Sequence, residues 1–407
     1  MAIKKTPEQL LVINYLNKLE LKAFKSNRQY WAHMDKRHEK DILNKLDKAM
    51  NDRFNGKGSD QSLYEIKNSS LKLSLDVSNF SADMYKSLFD WFAKRKGSAP
   101  KKILDLGCDN GIVTCFLGVL YPEAEVVGID ILPDAIKCAN ELSSKLDLTN
   151  VSFLEMDINN ISNHFDENSF DLIVSLRSLH EVLAIQNLPR YWSTAELLAM
   201  DFTSEKSNVL MSLNQILLDE TGEFITCERL AYMGALAQWS KMLTSNGFSI
   251  NWEQADYLKF HELGEHQKMP LLVTNAKSID LTDGELLEEI YKFELKDKVT
   301  QLYEGKVLKE PEAEIMFHQT QNKEFFKGLQ VNYLDGSGNM RLEIWKTPEY
   351  LLQYQYTNIG YRELRIVAQD LLETSSVELN TIKTQLSRSG KTLLYTSIEK
   401  RDEFDKA

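Results

Sequence analysis

The run Ile103-Leu-Asp-Leu-Gly-Cys-Asp-Asn-Gly111 passes from an apolar strand pattern into a tight glycine turn and then into the apolar stretch Ile112–Leu120. Glycines at such a turn let the backbone approach a ligand closely, and the amino terminus of the following helix favours a carboxylate or phosphate. A second run, Val126-Val-Gly-Ile-Asp130, ends on a carboxylate 19 positions after Gly111, where an adenosine ribose diol could be bonded. A third, Val151-Ser-Phe-Leu-Glu-Met-Asp157-Ile158, brings a carboxylate able to accept from an adenine amino group, and a fourth, Ser169–Ser175, reaches the same edge. Directly after it stands Leu176-Arg-Ser-Leu-His180-Glu181. A histidine is suited to take a proton near neutral pH, and Glu181 could orient it or balance its charge. Arg177 could hold an acidic substrate.

Each residue taken alone has a plainer reading. Asp105 could cap the turn that follows it, and Asp130 could cap the helix that starts near Pro133. His180 and Glu181 could form the first turn of a helix, whose dipole favours Glu181 there. Arg177 could sit in a surface salt bridge.

These residues must be positioned by strands that end at one edge. Ile103–Leu106, Val126–Ile129, Val151–Leu154 and Leu172–Ser175 are short apolar runs alternating with amphipathic stretches, the pattern of a doubly wound α/β sheet. Glu223–Cys227 predicts a fifth strand, Gly234–Leu243 a helix, and Ile250–Phe260 with Pro270–Asn275 two further strands, seven in all. Before the sheet, residues 7–54 carry apolar residues at helical spacing, and Ala82–Lys96 predicts another helix. After Lys277, Thr282-Asp-Gly-Glu285 reads as a capping box. Residues 340–366 then alternate in period two, predicting a small antiparallel sheet closed by a helix Ser376–Leu386. The expected domains are 1–75, an amino-terminal helical lid region; 76–277, the α/β domain; and 278–407, a carboxyl-terminal α+β domain that serves dimerisation or docking.

Composition narrows the function. The 407 residues are 43% hydrophobic and 27% charged, which fits a folded chain of two or three domains. A net charge of -12 argues against a sequence-independent grip on nucleic acid or on an anionic membrane. The first 58 residues, with 13 Lys/Arg against 7 Asp/Glu, are the basic exception. Four cysteines without a CxxC pair suggest neither a disulfide framework nor a structural metal site. With no signal-peptide pattern and no run of 18 apolar residues, the expected location is the cytoplasm.

Four such motifs in this order resemble the class I S-adenosylmethionine-dependent methyltransferases over about residues 76–276, including Leu213–Leu218, Gly222 and Glu223–Glu228 as helix, turn and fifth strand. The resemblance implies a Rossmann-like fold with S-adenosylmethionine as cofactor and S-adenosylhomocysteine as product. It implies that Asp105, Gly107 and Gly111 cradle the methionine part, with Cys108 and Asp109 in the same turn and Ser175 at the same edge. Asp130 would hold the ribose, Ile131 the adenine face, and Asp157 with Ile158 the adenine edge. The family usually has glycine where this chain has Asp109, a carboxylate that could instead face the cofactor's ammonium group. A nicotinamide-binding fold is the competing reading, but its G-x-G-x-x-G fingerprint lacks its second glycine here.

Methyl transfer from a sulfonium is an in-line displacement, so alignment and exclusion of water matter most, and a base is needed only for a protonated nitrogen or a hydroxyl. The Leu-rich segment Ser178–Lys206, with Tyr191 and Trp192 as substrate-contacting candidates beside Arg177, predicts a lid over a small-molecule acceptor. His180 and Glu181 are the catalytic candidates. Two alternatives stand beside this reading: a nucleic-acid methyltransferase that grips through the basic first 58 residues, and a catalytically silent scaffold that uses the sheet for interactions.

Overall fold

A computed structural model of the chain describes residues 5–55, 60–95, 98–183, 185, 198, 207–219, 221–230, 233–276, 281–296, 302–309, 311–333, 339–357, 361–375, 379 and 393–401. It divides into two compact units, residues 1–184, 203–229 and 243–279, and residues 185–202, 230–242 and 280–407.

In the first unit six helices precede the sheet: α1 (Pro7–Lys18), α2 (Asn27–Met34), α3 (Lys40–Phe54), α4 (Asp60–Lys67), α5 (Leu71–Ser78) and α6 (Ala82–Lys94). Helix α1 starts where Thr6 and Gln9 form a capping box ahead of Pro7, and it buries Val12, Tyr15 and Leu16. These join Leu88, Phe89 and Phe92 of α6 in the main core, where Phe89 stacks on Phe116 at 3.9 Å. The first helix is therefore part of the core of the α/β unit. A second cluster, Tyr30, Met34, Leu43, Leu46 and Leu73, binds α2, α3 and α5 together. Helices α4 and α5 escape a reading of the sequence because each has eight residues. Their apolar period is interrupted by Asn68-Ser-Ser70 and by the buried Ser74, Asp76 and Ser78.

The chain then alternates through β1 (Lys102–Leu106), α7 (Ile112–Leu120), β2 (Glu125–Asp130), α8 (Pro133–Lys145), β3 (Val151–Glu155), α9 (Ile161–His164), β4 (Leu172–Leu176), α10 (Leu179–Val182) and, after the helix Ser207–Ile216, β5 (Glu223–Cys227). Strands β1 to β5 are parallel in the order β3-β2-β1-β4-β5, and β6 (Ser249–Ile250), β7 (Asp256–Glu262) and β8 (Glu265–Asn275) extend the sheet antiparallel through β8. Eight strands replace the seven expected. The run Ile250–Phe260 breaks in two because Asn251 closes a turn, accepting from Gln254 N–H at 3.1 Å and Ala255 N–H at 3.0 Å. Order reverses between β1 and β4, so a crevice opens at the carboxyl ends of those two strands, the usual ligand position in an open α/β sheet.

The second unit holds an antiparallel sheet of six strands in the order β14-β10-β11-β12-β13-β9, where β9 is Val307–Lys309, β10 Glu324–Tyr333, β11 Asn339–Lys346, β12 Leu351–Thr357, β13 Arg362–Val367 and β14 Leu393–Ile398. The Thr282–Glu285 capping box opens the helix Asp283–Leu295 as expected. Phe317, Leu352, Tyr354, Leu364 and Ile366 form one core cluster, and Leu329, Val331, Leu342 and Ile344 another. The expected helix Ser376–Leu386 lies outside the described residues apart from Leu379. Among the described residues no helix is long and apolar enough to cross a membrane.

Candidate functional site

Strand β1 leaves the sheet into a turn in which Gly107 (φ +64°), Asp109 (φ +49°) and Gly111 (φ +79°) all take the left-handed conformation. A Cβ on Gly107 would come within 2.8 Å of the Ser178 Cβ, and one on Gly111 within 2.8 Å of the Phe153 ring, so both positions exclude a side chain. Asp109 tolerates the left-handed region better than most residues, which accounts for a non-glycine there. Asp130, at the end of β2, ties the turn down: one carboxylate oxygen accepts from Asp109 N–H at 2.9 Å and the other from Leu132 N–H at 3.0 Å. The buried Cys108 donates its N–H to the Ile129 carbonyl at 2.9 Å. Asp130 therefore holds the loop and the chain entering the next helix, while each of its oxygens keeps lone-pair capacity for a diol.

The Asp109 carboxylate is engaged from outside the sheet. It pairs with Lys67 Nζ and accepts from Asn68 Nδ2 at 2.8 Å. Its neighbour Asn110 is buried and donates to Ser74 Oγ at 2.7 Å and Ser78 Oγ at 3.0 Å. The cationic partner that the structure gives the Asp109 carboxylate is a lysine of the chain. Burial, the largest single influence, lowers the Lys67 pKa, but the charge and hydrogen bond of Asp109 with the neighbouring Tyr85 and Tyr64 together outweigh it and the net shift is upward.

Asp105, on β1, is buried and accepts from Thr114 Oγ1 at 2.6 Å. Burial pushes its carboxyl up to about 7, with the nearby Asp130 and Asp109 charges adding to the rise. Burial likewise raises Asp130. Ile131 is 61% exposed just beyond β2, an apolar surface where the chain could afford an adenine a face. Asp157 caps the short turn at Ile158, accepting from Asn159 N–H at 2.9 Å, and lines an open depression with Met156, Asn160 and Asn163. The cradle excludes side chains at Gly107 and Gly111 and offers acids at Asp105 and Asp130 and an apolar face at Ile131. It fits an adenosyl amino acid carrying a positive charge.

At the end of β4 a second constellation forms around a residue the sequence does not single out. Glu228, following β5, is buried. One of its oxygens accepts from Ser175 Oγ at 2.6 Å and Leu179 N–H at 3.3 Å. The other accepts from His180 N–H at 3.2 Å and bonds His180 Nδ1 at 2.7 Å. With Nδ1 carrying the proton, the His180 Nε2 lone pair is left to accept. Glu181 lies 3.9 Å from that Nε2 and pairs with Arg53 Nη2 of α3 at 2.5 Å. The signal for Glu228 was its place: a carboxylate just past an apolar strand, at the same edge as Ser175. Arg53 and Lys67 carried no such signal, because only folding brings the early helices to the sheet.

The other candidates fall out as follows. Ser175 is turned to Glu228. Arg177 (φ +56°) donates to Ser81 Oγ at 2.9 Å and pairs with Glu262 at 3.1 Å, so an ion pair describes its surroundings. Tyr191, Trp192 and all of Ser178–Lys206 but 178–183, 185 and 198 lie outside the described residues.

Comparison with known proteins bears on the same stretch of the chain. Residues 98–247 match the family model described as a methyltransferase domain. The chain is 27% identical over 241 residues, 55% of its length and 86% of the relative's, to a malonyl-[acyl-carrier protein] O-methyltransferase from Paenibacillus sp. (strain JDR-2). Among solved structures it is similar to a SAM dependent methyltransferase from Aquifex aeolicus, with 17% identity, 51% of this chain and 97% of the other covered, and a TM-score of 0.35. StiE O-MT aligns at 12% identity over 61% of this chain and 88% of the other, with a TM-score of 0.37. Residues 98–247, which hold the parallel strands β1 to β5 and the polar turn at their switch point, are thus a methyltransferase domain.

Proposed function

We propose that the chain methylates an oxygen or nitrogen of a small-molecule acceptor beside His180, using S-adenosylmethionine held by the turn Asp105–Gly111 with Asp130, Ile131, Asp157 and Ile158. When bound, the cofactor supplies an electrophilic methyl group on a sulfonium sulfur. The observation that carries the reading is the buried Ser175–Glu228–His180 arrangement at the same strand edge as the glycine turn. Glu228 fixes the ring orientation and the tautomer, so His180 Nε2 takes the acceptor's proton as the new bond to carbon forms. The charge that then develops on the imidazole faces the Glu228 carboxylate. Glu181 lies beside the same nitrogen and holds Arg53, which gives an acidic acceptor a counter-charge.

The relative's name supports an oxygen acceptor. A hydroxyl requires the proton acceptor; a carboxylate, such as that of a malonyl group, reacts without one. His180→Ala is expected to lower turnover by about 10²–10⁴-fold on a hydroxyl or amine acceptor, leaving S-adenosylhomocysteine affinity by calorimetry nearly unchanged. Unchanged turnover assigns catalysis to alignment alone and removes His180 as base. Failure of the wild-type protein to bind S-adenosylhomocysteine removes the cofactor assignment.

A further inference from the structure

We infer that Lys67, a residue of the amino-terminal helices outside the matched domain, forms the carboxylate subsite for the amino-acid part of the cofactor and so makes the site selective for a ligand bearing that carboxylate. The inference rests on the cofactor reading above.

The charges at the turn call for such a residue. Asp105, Asp109 and Asp130 surround the glycine turn, and burial first, with the repulsion of neighbouring carboxylates adding to it, raises the pKa of Asp105 and Asp130. An amino acid brings an ammonium, which these acids attract, and a carboxylate, which they repel. Lys67 supplies the missing positive pole. Its side chain is 10% exposed, it pairs with Asp109, and its ammonium lies 5.7 Å from the centre of the Tyr64 ring. Its attraction opposes the Asp109 repulsion at Asp130, so its charge reaches the ribose-side acid as well. A lysine buried this far persists only where its charge is compensated. A single carboxylate shared with Asn68 leaves an ammonium, with three donors, capacity for a second acceptor. The polar anchoring of Asn110 to Ser74 and Ser78 fixes the loop against α5, just beyond Lys67, so the ammonium is held in register with the turn.

The test compares two ligands that differ only in the carboxylate: S-adenosylhomocysteine and S-adenosyl-3-thiopropylamine, titrated calorimetrically into the full chain. The wild-type protein is expected to prefer the carboxylate-bearing ligand at least tenfold. Lys67→Met is expected to cut that preference below threefold, and Lys67→Arg to keep most of it. A preference that survives Lys67→Met unchanged, or an equal weakening of both ligands, overturns the inference and leaves Lys67 as a loop-shaping residue. Because Lys67→Met strands the Asp109 charge, Lys67→Met/Asp109→Asn, which removes both charges, serves as the second variant with the same expectation. Equal affinity of the wild-type protein for both ligands overturns the inference without any variant. Absence of S-adenosylhomocysteine binding by the wild type instead overturns the cofactor reading on which it rests.

Discussion

Replacing Glu228 by glutamine keeps the shape of the buried side chain and removes its charge, which makes the cost legible from four contacts. Ser175 Oγ and Leu179 N–H share one oxygen, at 2.6 and 3.3 Å; His180 N–H and Nδ1 share the other, at 3.2 and 2.7 Å. An amide offers one acceptor oxygen and one amino group. If the oxygen keeps the His180 side, Ser175 can rotate to accept from the amino group, but the Leu179 N–H meets another donor. If it keeps the Ser175 side, the ring can change tautomer, but the His180 N–H is opposed. Either way one buried backbone donor is stranded, at about 1–3 kcal/mol, and the surviving bonds lose their charge assistance. Relief of the buried charge offsets part of this, so a net loss of about 2–4 kcal/mol is expected, lowering the melting temperature by roughly 5–15 °C. Scanning fluorimetry reads the shift, and turnover measured beside it should fall by about 10²-fold or more, since the tautomer is no longer fixed. A melting temperature within about 2 °C of wild type, with turnover intact, would refute the claim that Glu228 organises this edge.

Other consequences follow from the turn itself. Because burial holds the Asp105 carboxyl at about 7, the folded chain keeps this proton to higher pH than the unfolded chain does. Its contribution therefore lowers folding stability as pH rises from about 4 to 7, by an amount of order 4 kcal/mol. Denaturant titrations at pH 5 and pH 8 should show Asp105→Asn gaining on the wild type at the higher pH; a difference independent of pH would contradict the shift. Gly111→Ala places a methyl group in a left-handed residue against Phe153 and Ala139, and a loss of about 2–4 kcal/mol by urea unfolding is expected, with weakened S-adenosylhomocysteine binding. A neutral outcome would mean that the turn can relax.

The local chemistry of the parallel sheet was written in the chain. Ile103–Leu106, Val126–Ile129, Val151–Leu154 and Leu172–Ser175 announce buried strands because a strand covered on both faces must be apolar throughout, and glycines mark the turn because only they accept its backbone cheaply. Strand-end carboxylates such as Asp105, Asp130 and Asp157 were legible for the same reason: polarity returns where a strand leaves the core. The Thr282–Glu285 cap was equally local. What tertiary structure decided is which distant groups meet those acids. Short helices α4 and α5 show no sustained period, yet they bring Lys67 and Asn68 to Asp109 across 42 and 41 positions. Glu228 stands 48 positions from the His180 ring it holds, and Arg53 stands 128 from Glu181. Arg177, equally suggestive in sequence, was claimed by Glu262 on a hairpin 85 positions away. Electrostatic pairing depends on separation in space, which spacing along a chain encodes only within one helix or one turn. The strands and their acids are therefore local facts, whereas the partners that tune those acids arise only when the sheet, the hairpin and the early helices close on one core.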